Sequence, residues 1–345
     1  MNQALPDERP DATLIADLDK ANYHPIWDRF MEVTPVNPNA TDNGHHWPWA
    51  QTEHFTKRTA AEVPMEDAER RAIIAVNPDF GGATLTTTNM IGAFTVLKPG
   101  DRALPHRHTF AAIRFAARCE GALTIVNGRR CEMHEGDVVL TPPMSLHGHI
   151  NEGEDRTVWF DAADLPLINS LDVNFLEMGE ARDAEDFWKV DEGDEALWQA
   201  SGLQAASVQH DDLHSPKFRF PGDVTRAALS ALPARPDGGK MLRYVNPLTG
   251  GPVMTTMDLY AMRVGRGATT RPRRATYNVI CLVAEGEGSS TVGDKTFNWV
   301  KHDVFTIPHW TWVSHQAKSS DADLFLVTDR SAQERLGVMR AETKD

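Results

Sequence analysis

The sequence predicts an all-β-dominated protein built as two repeated jelly-roll barrels, with a helical N-terminal segment and a helical linker. Three observations predict it. After Ile74, short runs rich in β-branched residues recur between Gly, Pro, Asp and Asn turns: ATLTTTNMIGAFTVL, GALTIVNGRRCEM, GDVVLTPP and RTVWFDA. Glu120-Gly121, Gly136 to Pro142 (GDVVLTP) and Trp159 to Asp161 (WFD) return about 165 residues later as Glu285-Gly286, Asp303 to Pro308 (DVFTIP) and Phe325 to Asp329 (FLVTD). A chain of 345 residues is long enough for two moderate domains, and its 21 Pro and 24 Gly favour short strands joined by many turns.

The elements follow in order. From Ala12 to Glu32 the apolar spacing predicts a helix interrupted near Pro25. His45 to Ala50 (HHWPWA) reads as an aromatic loop, and Met65 to Ile74 as a short helix running into a buried segment. Asn127-Gly128 is a hairpin signal, because both central residues of a tight hairpin turn need a positive φ. Ala181 to Gln209 is acidic and partly helical in pattern. The expected divisions are an N-terminal segment 1–75, a first barrel 76–180, a linker 181–240 and a second barrel 241–345.

A formal charge of −14 argues against nucleic acid, whose phosphates need a concentrated basic surface. A few pocket arginines could still hold a small anion. Cys119, Cys131 and Cys281 form no short-spaced cluster and are expected as buried thiols in a reducing compartment. The first residues lack a basic stretch followed by an apolar core, and no apolar run approaches a membrane span, so no membrane partner and a cytoplasmic location are expected.

The chemistry is carried by histidines. His106-Arg107-His108 places two imidazoles two residues apart, which on a strand puts both on one face, as two ligands of one metal require. His147 follows 39 residues after His108, just past TPPMSL at the end of a strand. Three imidazoles with open positions suit Fe(II), Mn(II) or Zn(II). The spacings Gly100-(x)5-His106-x-His108 and Gly136-(x)5-Pro142-(x)4-His147-(x)3-Asn151 resemble the two cupin motifs, which implies a bicupin fold. Many cupins add a glutamate seven residues before the glycine that is Gly121 here. That position is Arg114, which repels a cation but can grip a carboxylate with parallel hydrogen bonds.

HWPWA (46–50), ERRAIIAVNP (69–78), LKPGDRALPHRHTFAAIRF (97–115), GDVVLTPPMSLHGHIN (136–151), WFDAADLPLINSLD (159–172) and VFTIPHWTWVSH (304–315) together resemble the gentisate 1,2-dioxygenase family, which includes salicylate and 1-hydroxy-2-naphthoate dioxygenases. The resemblance implies a homotetrameric bicupin with one Fe(II) per chain on His106, His108 and His147. It implies cleavage of a small aromatic 2-hydroxy acid by O2, between the carboxyl- and hydroxyl-bearing carbons. Arg114 would hold the substrate carboxylate, His149 would hydrogen-bond the substrate, and Asp161 would support that network. Arg70 matches a second pocket arginine, with Arg71 as the alternative one position away, and Trp47 and Trp49 would help wall the pocket. The expected substrate is gentisate or a 5-substituted salicylate. The chain departs from the family at Met144, Thr95 and Ile91, which points to a pocket reshaped for a substituent other than the 5-hydroxyl of gentisate, such as amino, nitro or halogen.

In the second copy Val313 stands at the position of His147, His315 at that of His149, and RPRR (271–274) opposite the HRH segment. A metal-free structural barrel is expected, with His302, His309 and His315 not acting as ligands. Two other functions remain open to the same residues: a metal-dependent isomerase or decarboxylase, and a non-catalytic ligand-binding bicupin.

Overall fold

The structure, a computed structural model, describes residues 12–65, 70–179, 187–188, 197–200, 203, 213–235, 239–318 and 320–344. These fall into two compact units divided between residues 39 and 40. In the first, helices Ala12–Lys20 and Ile26–Val33 are separated at Pro25, which caps the second helix with φ −68°. The interruption is the expected one, because proline offers no N–H to the preceding turn and is tolerated only where that donor is already orphaned.

The second unit holds both barrels, each made of two antiparallel sheets. The first barrel pairs a sheet ordered Arg219–Phe220, Val138–Thr141, Ala112–Arg118, Thr157–Ala163, Ile91–Leu97, Ala72–Ile74 with a sheet ordered Leu176–Met178, Arg102–His108, His147–Asn151, Ala122–Val126, Arg129–Met133. The second barrel repeats both orders. Its sheets are His46–Trp47, Val304–Ile307, Val279–Glu285, Ala322–Thr328, Asp258–Val264, Gly239–Arg243 and Lys295–Val300, Glu287–Val292, Val313–Ala317, Arg273–Ala275, Ala341–Thr343.

One consequence is an exchange of strands. His46–Trp47 precedes the first barrel but completes the second, pairing with Phe305 and Val304. Arg219–Phe220 precedes the second barrel but completes the first, pairing with Val139 and Val138. Each short strand ends in a proline that opens a helix, Pro48 before Trp49–Glu62 and Pro221 before Gly222–Ala231. An aspartate of the host barrel accepts the first helical N–H in each case: Trp49 donates to Asp303 Oδ1 at 2.6 Å and Gly222 to Asp137 Oδ1 at 2.8 Å. Gly222 is required there, since a Cβ would lie 2.5 Å from the backbone of Gly136.

Strand alternation sorts the residues of the first barrel. On Ala112–Arg118, Ile113 and Phe115 enter a hydrophobic core shared by the two barrels, where Phe115 and Phe325 lie 4.9 Å apart. The alternate residues Ala112, Arg114 and Ala116 turn inward. The interior of the first barrel is filled by Leu97, Ala116, Val126, Met133, Val139 and Trp159.

Three local expectations change. Ala72–Ile74 is an edge strand with Ile74 exposed, not a buried segment, and residues 66–69 of the expected helix lie outside the described residues. The run from Ala83 to Met90 is a loop, because Thr86 and Thr87 spend their hydroxyls on local backbone groups instead of extending the strand. Of the expected linker, much of 181–212 lies outside the described residues, and the described part includes the strand Arg219–Phe220 and the helix Gly222–Ala231. Asn127 and Gly128 form the expected hairpin, with φ of 48° and 79°.

Candidate metal centre

Two adjacent strands build the site. His106 and His108 share a face of Arg102–His108, and His106 stands opposite His147, the first residue of the neighbouring strand. All three imidazoles are buried, and their ligand atoms lie within 4.8 Å of one another. The Nδ1 atom of each faces a backbone carbonyl: Leu104 at 2.8 Å for His106, Phe110 at 2.7 Å for His108 and Ser145 at 2.8 Å for His147. A carbonyl only accepts, so each Nδ1 carries the proton and each Nε2 keeps its lone pair. The Nε2 atoms of His108 and His147 have no hydrogen-bond partner although both are buried. Buried unpartnered acceptors are costly, and a divalent metal would satisfy these two together with the Nε2 of His106. The described residues contain no other cluster of three such groups.

The surroundings keep the trio neutral. Burial, then the charge of Arg70, pushes His106 down to about 4, and burial pushes His108 down to about 3. His147 and His149 are driven well below their ordinary value by burial, with Arg114 adding to it. Neutral imidazole is the form that binds metal.

Arg70 and Arg71 separate cleanly. Arg70 Nη2 donates to His106 Nε2 and has no carboxylate partner among the described residues. Arg71 is buried in an ion pair with Asp101 and donates to the carbonyl of Val63. Arg114 lies 3.3 Å from Asp161 through Nε and donates from Nη1 to Thr141 Oγ1. Burial lowers it to about 10, so it stays charged at neutral pH. The Arg114 charge therefore has its counter-ion already, whereas Arg70 has no such carboxylate among the described residues.

His149 lies on the same face of its strand as His147, two residues on, with ring centroids 5.7 Å apart. Its Nδ1 is 2.9 Å from Thr124 Oγ1, whose own proton goes to Met133 Sδ. Thr124 thus accepts from Nδ1–H and leaves His149 Nε2 as an acceptor. Asp161 receives the Thr95 hydroxyl at 2.6 Å, so Thr95 acts on Asp161 rather than standing free. Ile91 is half-buried on the same face of that strand as Thr95. Met144 is held beside the metal ligands by its backbone, which donates to the carbonyl of His108 at 2.8 Å.

Trp47 is not brought to this site. It pairs with Val304 and packs on the core shared by the barrels, with its ring 4.7 Å from His45. Trp49 packs there too, against Phe94 and His302. Both sit in the exchanged arm, and that is why the expected pocket wall is absent. Thr124 and Thr141 were not singled out from the sequence. The hydroxyl of Thr124 recurs as Ser290 beside His315, and that repeat was a usable signal.

Fold and site together define a metal-binding bicupin. The Cupin domain family matches residues 93–163. The chain is 32% identical over 327 residues to gentisate 1,2-dioxygenase 1 of Aquipseudomonas alcaligenes, covering 94% of this chain and 93% of that protein. It is also 32% identical to 5-aminosalicylate 1,2-dioxygenase of a Comamonas species, covering 94% and 88%. The crystal structure of salicylate 1,2-dioxygenase from Pseudoaminobacter salicylatoxidans, an adduct with gentisate, superposes with a TM-score of 0.91 at 30% identity, covering 99% of this chain and 96% of that one. The protein belongs to the gentisate and salicylate 1,2-dioxygenase family of ring-cleaving bicupin enzymes. No helix among the described residues is long and apolar enough to cross a membrane.

Proposed function

We propose that this enzyme is an Fe(II)-dependent 1,2-dioxygenase for a 2-hydroxybenzoate, gentisate or a 5-substituted salicylate, opening the ring between the carboxyl- and hydroxyl-bearing carbons. The observation that carries this reading is the set of three buried Nε2 lone pairs bordered by two guanidiniums, Arg70 and Arg114, with Asp161 as counter-ion to the latter. Such a site has a surplus of positive charge, suited to an anionic chelating substrate. When bound to His106, His108 and His147, the ferrous ion supplies electron transfer between substrate and O2.

The chain's own residues do the rest. Arg70 takes the substrate carboxylate and orients the ring. Arg114, fixed by Asp161 and Thr141, keeps the interior positive and supports that orientation. His149 Nε2 accepts the proton of the ring hydroxyl, and Thr124 holds its tautomer. Ile91 and Met144 shape the substituent side. One iron per chain and a cytoplasmic homotetramer complete the proposal. The exposed apolar face of Ile26, Trp27, Phe30 and Met31 supports a subunit contact.

The test is oxygen uptake by the Fe(II)-loaded protein with gentisate, salicylate, 5-amino-, 5-nitro- and 5-halosalicylates and 1-hydroxy-2-naphthoate. Uptake stoichiometric with one of these acids is expected. His147→Ala is expected to lose both iron and uptake. No uptake with any acid would overturn the reading.

A further inference from the structure

The second barrel has lost its metal ligands but keeps a pocket beside the positions they would hold. Arg273 pairs with Val313 at the register where His106 pairs with His147. A guanidinium thus occupies a ligand position, and Ala275 and Val313 stand for His108 and His147. A pocket open to solvent lies around them, lined among others by Arg271, Arg273, Tyr260, Tyr277, Val313 and His315.

The lining is that of an organic-anion site. Tyr260, Tyr277, Met262 and Ile307 give it apolar and aromatic walls, while Arg271 and Arg273 reach it with positive charge. Neither arginine has a carboxylate partner among the described residues, and Arg273 donates only to the Tyr277 hydroxyl. His315, buried, keeps the relation that His149 has in the first barrel, with Nδ1 2.7 Å from Ser290 Oγ. Ser290 Oγ also accepts from Trp299 Nε1 at 2.8 Å. The first barrel offers lone pairs to a cation; the second offers N–H donors with fixed positive charge.

We infer that the second barrel is a metal-independent binding site for an aromatic carboxylate, with Arg273 and Arg271 taking the carboxylate and the tyrosines enclosing the ring. Burial of a planar ring against tyrosine faces and a guanidinium favours an aromatic acid over a linear one. The inference does not depend on which substrate the first barrel turns over.

Full-length protein is titrated with 5-fluorosalicylate and followed by ¹⁹F NMR and equilibrium dialysis, before and after removal of metal by a chelator. A bound population that persists without metal and in His147→Ala is expected. Arg273→Gln should weaken it at least about tenfold while leaving metal content unchanged. Arg271→Gln, at an exposed position, should weaken it less, and it carries the test if Arg273→Gln does not fold. Benzoate should displace the probe and fumarate should not. Loss of all bound probe with the metal, binding indifferent to both arginine substitutions, or equal displacement by fumarate would overturn the inference.

Discussion

Arg70 Nη2 donates to Nε2 of His106, the one nitrogen of that ring left with a lone pair once Nδ1 is committed to Leu104. Guanidinium and metal ion therefore compete for a single acceptor. Arg70→Ala should bind divalent metal as tightly as the parent or more so, while KM for the 2-hydroxybenzoate rises by about 10- to 100-fold. Metal content and steady-state kinetics on the same preparation check both halves. Arg71→Ala should behave oppositely, costing about 3 kcal/mol of stability through the stranded Asp101 with little change in KM. Equal effects of the two would remove the distinction drawn between them.

Asp137 and Asp303 each anchor an exchanged strand and helix. Asp137 accepts from Gly222 N and from Arg219 Nε at 3.0 Å, and Asp303 accepts from Trp49 N and lies 2.9 Å from His46 Nε2. Asp137→Ala and Asp303→Ala should each lower stability by about 2–4 kcal/mol, since each strands several buried donors. Urea midpoints measure the loss, and limited proteolysis should cut near Arg219 in the first variant and near His46 in the second. Cleavage elsewhere would mean that the arms are held by other contacts.

Two histidines outside the metal centre set a pH dependence. Burial pushes both His302 and His315 down to about 4, with Lys301 adding to the first and Arg273 to the second. The unfolded chain, with an ordinary histidine value of 6.5, takes up protons that the folded chain refuses. Stability is then fully present above pH 6.5 and falls as pH drops toward 4. Denaturant midpoints at pH 7, 6 and 5 should decline. His315→Gln should remove up to about 1.4 kcal/mol per pH unit of that slope. An unchanged slope in this variant would contradict the assignment.

The parts of the site legible in the sequence are those that strand periodicity and repetition encode. His106 and His108 had to share a face because strand side chains alternate, and the offset between copies equates Val313 with His147. The exchanged strands were illegible for a physical reason: two residues carry no periodicity, and His46 meets Asp303 across 257 positions. The same blindness misplaced Trp47, which the family resemblance put in the pocket wall and which packs on the core shared by the barrels. Arg114 was found by counting, but its pairing with Asp161 is a cross-strand relation that a single strand's sequence does not show.

Met144 lies in a tight turn before the third metal ligand, with Ser145 N donating to Pro142 O at 3.1 Å and Pro143 as the first central residue. The second central position needs a positive φ, and Met144 has 58° there. Trp310 repeats the strain in the second barrel with φ of 57°, after Pro308. A non-glycine residue in that region costs about 1 kcal/mol, partly offset in a Gly variant by the greater freedom of the unfolded chain. Met144→Gly should therefore be neutral to slightly stabilising, by up to about 0.5 kcal/mol. Trp310→Gly should destabilise by about 3 kcal/mol, since Trp310 is buried beneath the Arg274 and Arg340 guanidiniums at 4.3 and 5.2 Å. Thermal melts of the two variants read this difference in sign. Because the Met144 amide still reaches the His108 carbonyl, Met144→Gly should keep its metal and change only the relative kcat/KM among 5-substituted acids. Loss of metal instead would show that the Met144 side chain supports the ligands themselves.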